Sequence, residues 1–491
     1  MKITNSISGK KEEFIPLIKG EVKMYACGIT VYDLSHIGHA RQAINYAMIT
    51  DYLRYRGYHV TYVRNYTDVD DKIIKRANEL GKNALEFSKE QILETEKDMA
   101  ALHITDADIK TKASEYIPQI IEFIKNLIEK EHAYATDKGD VYFSVKTFNE
   151  YGKLSHRKIE DLRNGVRIEL EEGKKDPVDF ALWKSAKPGE VSWDSPWGKG
   201  RPGWHIECSA MALDTLGETI DIHGGGRDLL FPHHENEIAQ SESLTGKTFA
   251  NYWTHCGLIK INGKKMSKSL GNSLFIRDAL ALYNYEVIKY VMLSKHYTSD
   301  IDIHDSDLHL AEEKMYYFYS TVKTMENFIA NNGGDSTSEI LQDEIPKSIV
   351  PKFIKVMDDD FNSAVALSNL HTVFKYINNI MRTTNKSNKQ IVANTMKKIL
   401  EDLKSTYRIL GLLQQRPEDF ITEIRNKYLN KLNIDTSQIE TQISKRTEAK
   451  KIRDFETADA IRAELEKFGI ILKDTKDGTA WEFKELFKSK K

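Results

Sequence analysis

Cysteine is scarce in this sequence, and its scarcity excludes a whole class of protein. The chain of 491 residues contains three cysteines, Cys27, Cys208 and Cys256. So few thiols, in an odd number and without regular spacing, cannot form the framework of a disulfide-stabilised protein. They are typical of a reducing compartment, where thiols serve metal binding, chemistry or packing. We therefore expect a cytoplasmic protein.

Long apolar runs and an excess of one charge are also missing. No stretch approaches the ~20 apolar residues of a membrane-spanning helix, and the start, MKITNSISGKKEEFIPL, has no apolar signal segment. With 71 basic and 73 acidic side chains the formal net charge is −2, so a nucleic-acid partner would need local basic surfaces. The 40% hydrophobic content is that of a globular protein, and we expect no membrane partner.

The N-terminal part of the chain predicts a βαβ unit. An apolar run over residues 23–32 is typical of a strand, and HVTYVRNY is typical of a second one. Between them, after Gly38, ARQAINYAMITDYLRYRGY has the apolar spacing of a helix that ends at Gly57. This order favours a parallel sheet of the nucleotide-binding kind, with the helix N-terminus at the carboxyl edge of the sheet.

The sheet-forming pattern is interrupted and then resumes. Helical patterns and short strands lead to a charged segment, HRKIEDLRNGVRIELEEGKKDP, after which TIDIHGGGRDLLF predicts another strand. The predicted fold class is α/β: a Rossmann-type parallel-sheet domain split by a connective insertion, then an α-helical bundle and a small α+β module. The predicted segments are 1–115 (first half of the split domain), 116–200 (insertion), 201–272 (second half), 273–304 (region after the lysine-rich loop), 305–417 (bundle) and 418–491 (C-terminal module).

The segment HIGH places two imidazoles at the start of the predicted helix. His36 and His39 are three residues apart, so both rings can face the same side above the helix N-terminus. Gly38 leaves room for a nucleotide to approach the backbone, and imidazoles can donate hydrogen bonds to a phosphate as charge builds on it. A helix start with two surface histidines is an equally ordinary explanation of this tetrapeptide.

The segment KMSKS carries Lys265 and Lys268 on a loop between two glycines. Two lysines there form a mobile cationic clamp suited to a triphosphate, although most lysine pairs are only solvated turns. HIGH and KMSKS, in this order at opposite ends of a split α/β domain, resemble the signature pair of class I aminoacyl-tRNA synthetases. The resemblance covers residues 24–272.

Two cysteines, a histidine and a glutamate form a candidate metal set. Cys208 lies in GWHIECSAM, and FPHHENE supplies His233 and Glu237 with i, i+4 spacing. With Cys27 they provide two thiolates, an imidazole and a carboxylate, which are acceptable zinc ligands. Taken singly, each cysteine is better explained as a small core residue and His233 as a helix cap. Cys256 has no such neighbours, and we expect it to be structural.

Motif by motif, the sequence is similar to the cysteinyl-tRNA synthetases. The matching segments are CGITVYDLSHIGHAR, NYTDVDDKII, RPGWHIECSAM, DIHGGGRDLLFPHHENEIAQS, KMSKSLGN and DDDFNSAVAL. The resemblance implies that the chain activates L-cysteine with ATP and Mg²⁺ to cysteinyl-adenylate and transfers it to the 3′ end of cysteine tRNA. It also implies that residues 273–304 contact the tRNA stem, that the bundle binds tRNA and that the last module recognises the anticodon. We expect a monomer.

The resemblance assigns roles residue by residue. The catalytic and ATP-binding residues would be His36, Gly38, His39, Lys265 and Lys268. The ligands of one zinc ion per chain would be Cys27, Cys208, His233 and Glu237. The substrate pocket would include Trp204 and Asp228.

Zinc would explain how cysteine is selected. A pocket shaped for a small side chain separates near-isosteres by only about 1–3 kcal/mol. Zinc prefers soft sulfur and deprotonates a coordinating thiol, so the substrate supplies a thiolate that serine cannot match at neutral pH. Selection then needs no separate editing site.

The acceptor of the cysteinyl group is where the sequence leaves alternatives. A cysteine ligase with a small amine acceptor would use the same adenylation site, and a non-catalytic zinc and RNA binder would keep the metal set. The basic helices over 445–462 favour an RNA partner, and intact HIGH and KMSKS segments favour an enzyme. Trp481, after a KDGT turn, could stack on an unpaired base, but it is also typical of the core of a small module.

Overall fold

The computed structural model describes residues 1–159, 173–265, 274–475 and 478–483. These residues divide into two compact units. Unit 1 comprises 1–304, 350–370 and 409–412, and unit 2 comprises 305–349, 371–408 and 413–491. Among the described residues, no helix is both long and apolar enough to cross a membrane.

Unit 1 contains the sheets. Its strands are β1 (Lys2–Asn5), β2 (Lys10–Glu13), β3 (Glu21–Thr30), β4 (His59–Thr67), β5 (Ile109–Lys112), β6 (Ala133–Ala135), β7 (Val141–Phe143), β8 (Phe180–Ser185), β9 (Gly200–Pro202), β10 (Ile220–Gly226), β11 (Ala250–Cys256), β12 (Ile259–Ile261), β13 (Lys264–Lys265) and β14 (Ile301–Ile303). Its first helices are α1 (Ile37–Tyr55), α2 (Asp71–Glu79), α3 (Ala84–Ala101), α4 (Ile117–Glu129), α5 (Trp204–Leu216), α6 (Glu235–Thr245), α7 (Ile276–Leu282) and α8 (Tyr285–Leu293).

The central sheet has five parallel strands in the order β11-β10-β3-β4-β5. Val22 pairs with Val60 across β3 and β4, and Met24 pairs with Ile222 across β3 and β10. These strands are apolar and buried because helices cover a parallel sheet on both faces. The chain leaves β3 towards β4 on one side and returns to β10 on the other. A crevice therefore opens at the carboxyl edge between β3 and β10.

The segment between the two halves of this sheet forms a sheet of its own. Strands β6 to β9 are antiparallel in sequential order, and helix α4 packs its apolar face on them. Trp183 and Phe143 are fully buried in the resulting core. Most of the charged segment predicted as a surface excursion, residues 160–172, lies outside the described residues.

The aspartates of the segment DDDF, residues 358–361, contact β1 and α1 within unit 1. The buried carboxylate of Asp360 accepts hydrogen bonds from the Thr4 backbone N–H (2.8 Å) and the Tyr297 hydroxyl (2.9 Å). Asp358 accepts from the hydroxyl of Tyr52 on α1 (2.6 Å). These contacts give the aspartates of this segment a structural role in the split domain.

The described part of unit 2 is helical apart from a hairpin near its end. The remaining helices among the described residues are α9 (Asp305–Asn332), α10 (Glu344–Met357), α11 (Ser363–Thr383), α12 (Lys389–Tyr407), α13 (Pro417–Leu432), α14 (Thr436–Lys451) and α15 (Phe455–Lys467). Parts of α10 and α11 belong to unit 1. The antiparallel hairpin consists of β15 (Ile470–Thr475) and β16 (Gly478–Phe483). Helix α9 packs against α12 and α13, where the rings of Tyr319 and Phe420 stack with centroids 4.2 Å apart.

Of the two interpretations of Trp481, the structure supports the one in which the indole belongs to the core of the small module. The side chain is 8% exposed, and its Nε1 donates to Glu440 of α14 (3.2 Å). The Arg425 guanidinium of α13 lies over the ring at 4.7 Å. The indole fills the core of the small module, because a two-helix and hairpin unit has few other large residues to bury.

Candidate active site

The structure brings together the four residues predicted to bind zinc. Cys27 comes from β3, Cys208 from α5, and His233 from the turn that leads into α6, which carries Glu237. All four are buried, and one potential ligand atom from each lies within 4.8 Å of the others. Glu237 Oε1 lies 3.2 Å from Cys27 Sγ and 2.9 Å from His233 Nε2. Two sulfurs, a nitrogen and an oxygen thus converge on one small volume.

The charges within this cluster are strongly coupled. Burial alone would raise the pKa of the Cys208 thiol, but hydrogen bonds from Cys27 and His233 lower it to about 6. Burial would lower the pKa of His233, but the charge of Glu237 and the Cys208 hydrogen bond raise it to about 10. For Cys27, burial and its contact with Cys208 raise the pKa well above the usual range. These pKa values favour a Cys208 thiolate beside a His233 imidazolium. Binding of a metal ion to such a pair would release the proton of the imidazolium.

Two further histidines border the cluster, and the sequence did not predict that they would lie there. His223 and His234 form an alternative metal set with Cys27 and Glu237. His223 Nε2 lies 3.2 Å from Glu237 Oε2 and 3.5 Å from Cys27 Sγ. The set that includes Cys208 offers zinc a second thiolate, the softer ligand, and is the better fit on chemistry. The sequence signal for His223 was the segment DIHGGG, which places a histidine near the end of a buried strand.

Further histidines orient the cluster from outside. His205 Nδ1 lies 3.1 Å from His233 Nδ1, which leaves His233 Nε2 directed at Glu237. His255 joins Ser6 (2.7 Å) to His234 (2.8 Å). Burial lowers the pKa of His205 well below its usual range and that of His255 to about 3, so both are neutral hydrogen-bonding rings. Such contacts fix the orientation of a ligand imidazole.

The HIGH segment forms the N-terminus of α1. His36 is the N-cap and accepts from the Gly38 backbone N–H (3.1 Å), while His39 Nδ1 accepts from the His36 backbone N–H (3.3 Å). The two rings stack with centroids 3.6 Å apart. They therefore lie on the same side of the helix start, where the helix dipole favours an anion.

A bulge in β3 turns this edge of the sheet towards the crevice. The pairing of β3 with β4 shifts register between Ala26 and Ile29. Gly28 lies in the bulge, and its backbone N–H donates to Asn65 Oδ1 (2.8 Å). A Cβ on residue 28 would lie 1.6 Å from the Asn65 carbonyl oxygen. Only glycine allows the two backbones to approach so closely beside Cys27.

The metal cluster and the HIGH segment share one cleft. Its volume is about 320 Å³, and its lining includes Cys27, Cys208, His233, His36, Gly38, His39, Trp204 and Asp228. The Trp204 ring stacks on the His233 ring with centroids 4.5 Å apart and is 36% exposed. Asp228 follows β10, and a Cβ on Gly226 would lie 2.5 Å from its Oδ1. The residues predicted for the substrate pocket therefore lie at the mouth of the same cleft.

The two lysines of KMSKS cannot be placed in this geometry. Lys265 ends β13, which pairs with β12, and its side chain is outside the described part of the structure. Lys268 belongs to residues 266–273, which are also outside it. Their role stays a prediction.

Comparisons with known proteins agree with one another. Residues 13–313 match the model of the class I (C) tRNA synthetase catalytic domain, and residues 352–414 match the DALR domain. A cysteine–tRNA ligase of Thermodesulfovibrio yellowstonii is 48% identical over 99% of this chain and 100% of its own. One of Maridesulfovibrio salexigens is 46% identical over 98% and 99%.

A solved structure shows the same fold at low sequence identity. Methionyl-tRNA synthetase of Mycobacterium tuberculosis, in complex with methionyl-adenylate, superposes with a TM-score of 0.63 at 15% identity, over 85% of this chain and 95% of its own. From the matched domain, the full-length relatives and this shared fold, the chain belongs to the cysteine–tRNA ligase family of class I tRNA synthetases.

Proposed function

We propose that the protein activates L-cysteine with ATP to cysteinyl-adenylate and transfers the cysteinyl group to the 3′ end of cysteine tRNA. The observation that carries the proposal is the shared cleft, in which the cluster of Cys27, Cys208, His233 and Glu237 opens next to the stacked histidines of HIGH. A thiol subsite and a phosphate subsite in one cleft suit a substrate in which cysteine is joined to a nucleotide. Full-length similarity to cysteine–tRNA ligases supports tRNA as the acceptor.

The donor set fits zinc. Zn²⁺ takes four tetrahedral ligands of sulfur, nitrogen and oxygen type, and the cluster supplies two sulfurs, one nitrogen and one oxygen from buried positions. When bound, the ion would supply a Lewis acid that stabilises the thiolate form of the substrate cysteine. Cys27, Cys208, His233 and Glu237 would hold it, and His205 would keep the His233 ring in its orientation.

The residues of α1 would bind the phosphates of ATP, with Mg²⁺ as counterion. The stacked rings of His36 and His39 lie at the positive end of the α1 dipole, where they are positioned beside a phosphate. Gly38 leaves the backbone open to that approach. Lys265 and Lys268 would complete this subsite when pyrophosphate leaves.

The C-terminal module would bind the tRNA through a different aromatic residue from the one predicted. Phe455, the first residue of α15, is 61% exposed, whereas Trp481 is buried. Lys450, Lys451 and Arg453 lie two to five residues before it, and the two lysines end α14. An exposed ring beside basic side chains is the surface on which an unpaired base stacks while its phosphates are neutralised.

Two further expectations are part of this proposal. All three cysteines are free, which supports a cytoplasmic, reducing environment. A monomer suffices, because the thiol and phosphate subsites come from one chain.

Pyrophosphate exchange followed by transfer tests the proposal. Exchange between ATP and pyrophosphate should depend on cysteine and not on serine, and the adenylate should be discharged by cysteine tRNA. Discharge by a small amine with tRNA inactive would support a cysteine ligase instead. Zinc and RNA binding without any exchange would support a non-catalytic binder.

A further inference from the structure

Tyr32 and Lys72 form a pair in the cleft that neither the thiol subsite nor the phosphate subsite uses. Both line the cleft, and Lys72 Nζ lies 5.4 Å from the centroid of the Tyr32 ring. A cation at this distance over an aromatic face is attracted by the ring, so the two side chains act as one surface. That surface offers a positive charge beside a planar ring.

The pair lies on the β4 side of the cleft. Thr30 and Thr67 are paired at the ends of β3 and β4. Tyr32 follows the first of these strands, and Lys72 is the second residue of α2, which follows the other. Asp228 follows β10 on the opposite side. The thiol and phosphate subsites thus have the Tyr32–Lys72 pair on one flank and Asp228 on the other.

The charge of Lys72 is available to a ligand. Among the described residues that line the cleft, it is the one lysine or arginine, and no described carboxylate lies within ion-pairing distance of its Nζ. The two acids that precede it are engaged elsewhere. Asp70 caps α2 by accepting from the Lys72 backbone N–H (2.8 Å), and Asp71 pairs with Lys184 (2.8 Å) and Arg201. An anion entering this flank would meet an uncompensated ammonium.

We propose that the Tyr32–Lys72 pair binds the 3′-terminal nucleotide of the RNA acceptor. The ammonium would contact the last phosphodiester, and the phenol ring would stack with the terminal base. The inference rests on the proposed function, since it names the subsite of its second substrate. The acceptor must reach a cysteinyl group whose thiol is held by the buried cluster and whose phosphate lies at the start of α1. The β4 flank supplies the phosphate and base contacts that a nucleotide end needs.

A double-mutant cycle that combines one amino-acid substitution with one change in the RNA tests this subsite. The Lys72→Met chain keeps a long, unbranched side chain but loses the charge. It is compared with the unmodified chain for binding to full-length cysteine tRNA and to the same tRNA without its 3′-terminal nucleotide. The unmodified chain should prefer the full-length tRNA by about tenfold, and Lys72→Met should lose most of that preference. Tyr32→Leu should give the same loss.

Lys75→Met is the matched control. Lys75 is exposed on the same helix and does not line the cleft, so its substitution should leave the preference for the terminal nucleotide intact. An equal preference in the unmodified and Lys72→Met chains would overturn the inference. So would a rise in the KM for ATP or cysteine in pyrophosphate exchange without a change in that preference. If the unmodified chain shows no cysteine-dependent exchange, the proposed function itself fails, which is a different result.

Discussion

His233 Nε2 lies 2.9 Å from Glu237 Oε1, across the turn that opens α6. The i, i+4 spacing places both side chains on one face, and that face is directed at Cys27 and Cys208. One short segment therefore supplies half of the candidate metal site. The other half comes from β3 and α5, which lie far apart in the sequence.

Substitution of Cys208 should weaken metal binding and cysteine activation together. Serine keeps the size of the side chain but replaces a soft thiolate by a hard, protonated oxygen. We expect about one zinc per folded chain in the unmodified protein and a substoichiometric content in Cys208→Ser, measured by elemental analysis. Cysteine-dependent pyrophosphate exchange should fall in parallel. Cys256→Ala, which removes a buried thiol outside the cluster, should keep its zinc, and a zinc-free yet fully active unmodified enzyme would refute the metal assignment.

The buried thiol of Cys256 should make the folded protein less stable as the pH rises above about 9. Burial raises the pKa of this thiol to about 12, whereas an exposed thiol in the unfolded chain ionises near pH 9. Below the unfolded-state pKa the thiol is protonated in both states, so it does not make the free energy of unfolding depend on pH. As pH rises from about 9 towards 12 the thiol ionises in the unfolded chain only, and the free energy of unfolding falls. In urea unfolding at pH 8, 9 and 10, the unmodified protein should lose stability relative to Cys256→Ala. A constant difference between the two proteins across this range would contradict the burial effect.

Lys268 should act on the transition state for adenylate formation. A lysine clamp on the phosphates gains most as charge develops when pyrophosphate leaves. Lys268→Ala should therefore lower the single-turnover rate of adenylate formation by roughly 10² or more, with little effect on cysteine binding. Lys260→Ala, an exposed lysine on β12, is the control that removes a nearby charge. An unchanged rate in Lys268→Ala would count against the assignment.

The sequence predicts those parts of the fold that depend on local patterns. The strand predicted over 23–32 is observed as Glu21–Thr30, and the helix predicted to end at Gly57 ends at Tyr55. Burial on both faces makes such strands apolar throughout. The helix was predicted from the spacing of its apolar residues, although in the structure it is buried around most of its circumference. The metal-binding residues could be predicted from the sequence because two of them share one helical face.

The histidines around that set could not be predicted in the same way. His223 approaches Cys27 because β10 lies beside β3 in a register that pairs His223 with Tyr25. His205 and His255 approach the cluster from a helix and a strand whose packing has no local signature. Side-chain orientation between distant segments is set by tertiary packing.

Substitution of Phe455 and of Trp481 should separate RNA binding from stability. Trp481 is buried and its ring is covered by Arg425, so Trp481→Ala leaves a cavity and should destabilise the C-terminal module by about 3–5 kcal/mol. Phe455 is 61% exposed, so Phe455→Ala should leave thermal unfolding almost unchanged. It should instead weaken binding of cysteine tRNA by about tenfold through the loss of one base-stacking contact. Pyrophosphate exchange measures the cleft of unit 1 alone and should be the same in Phe455→Ala as in the unmodified protein. If Phe455→Ala binds tRNA normally and unfolds at the normal temperature, the aromatic surface of the module has no part in RNA recognition, and the lysines at the end of α14 would have to act through phosphate contacts alone.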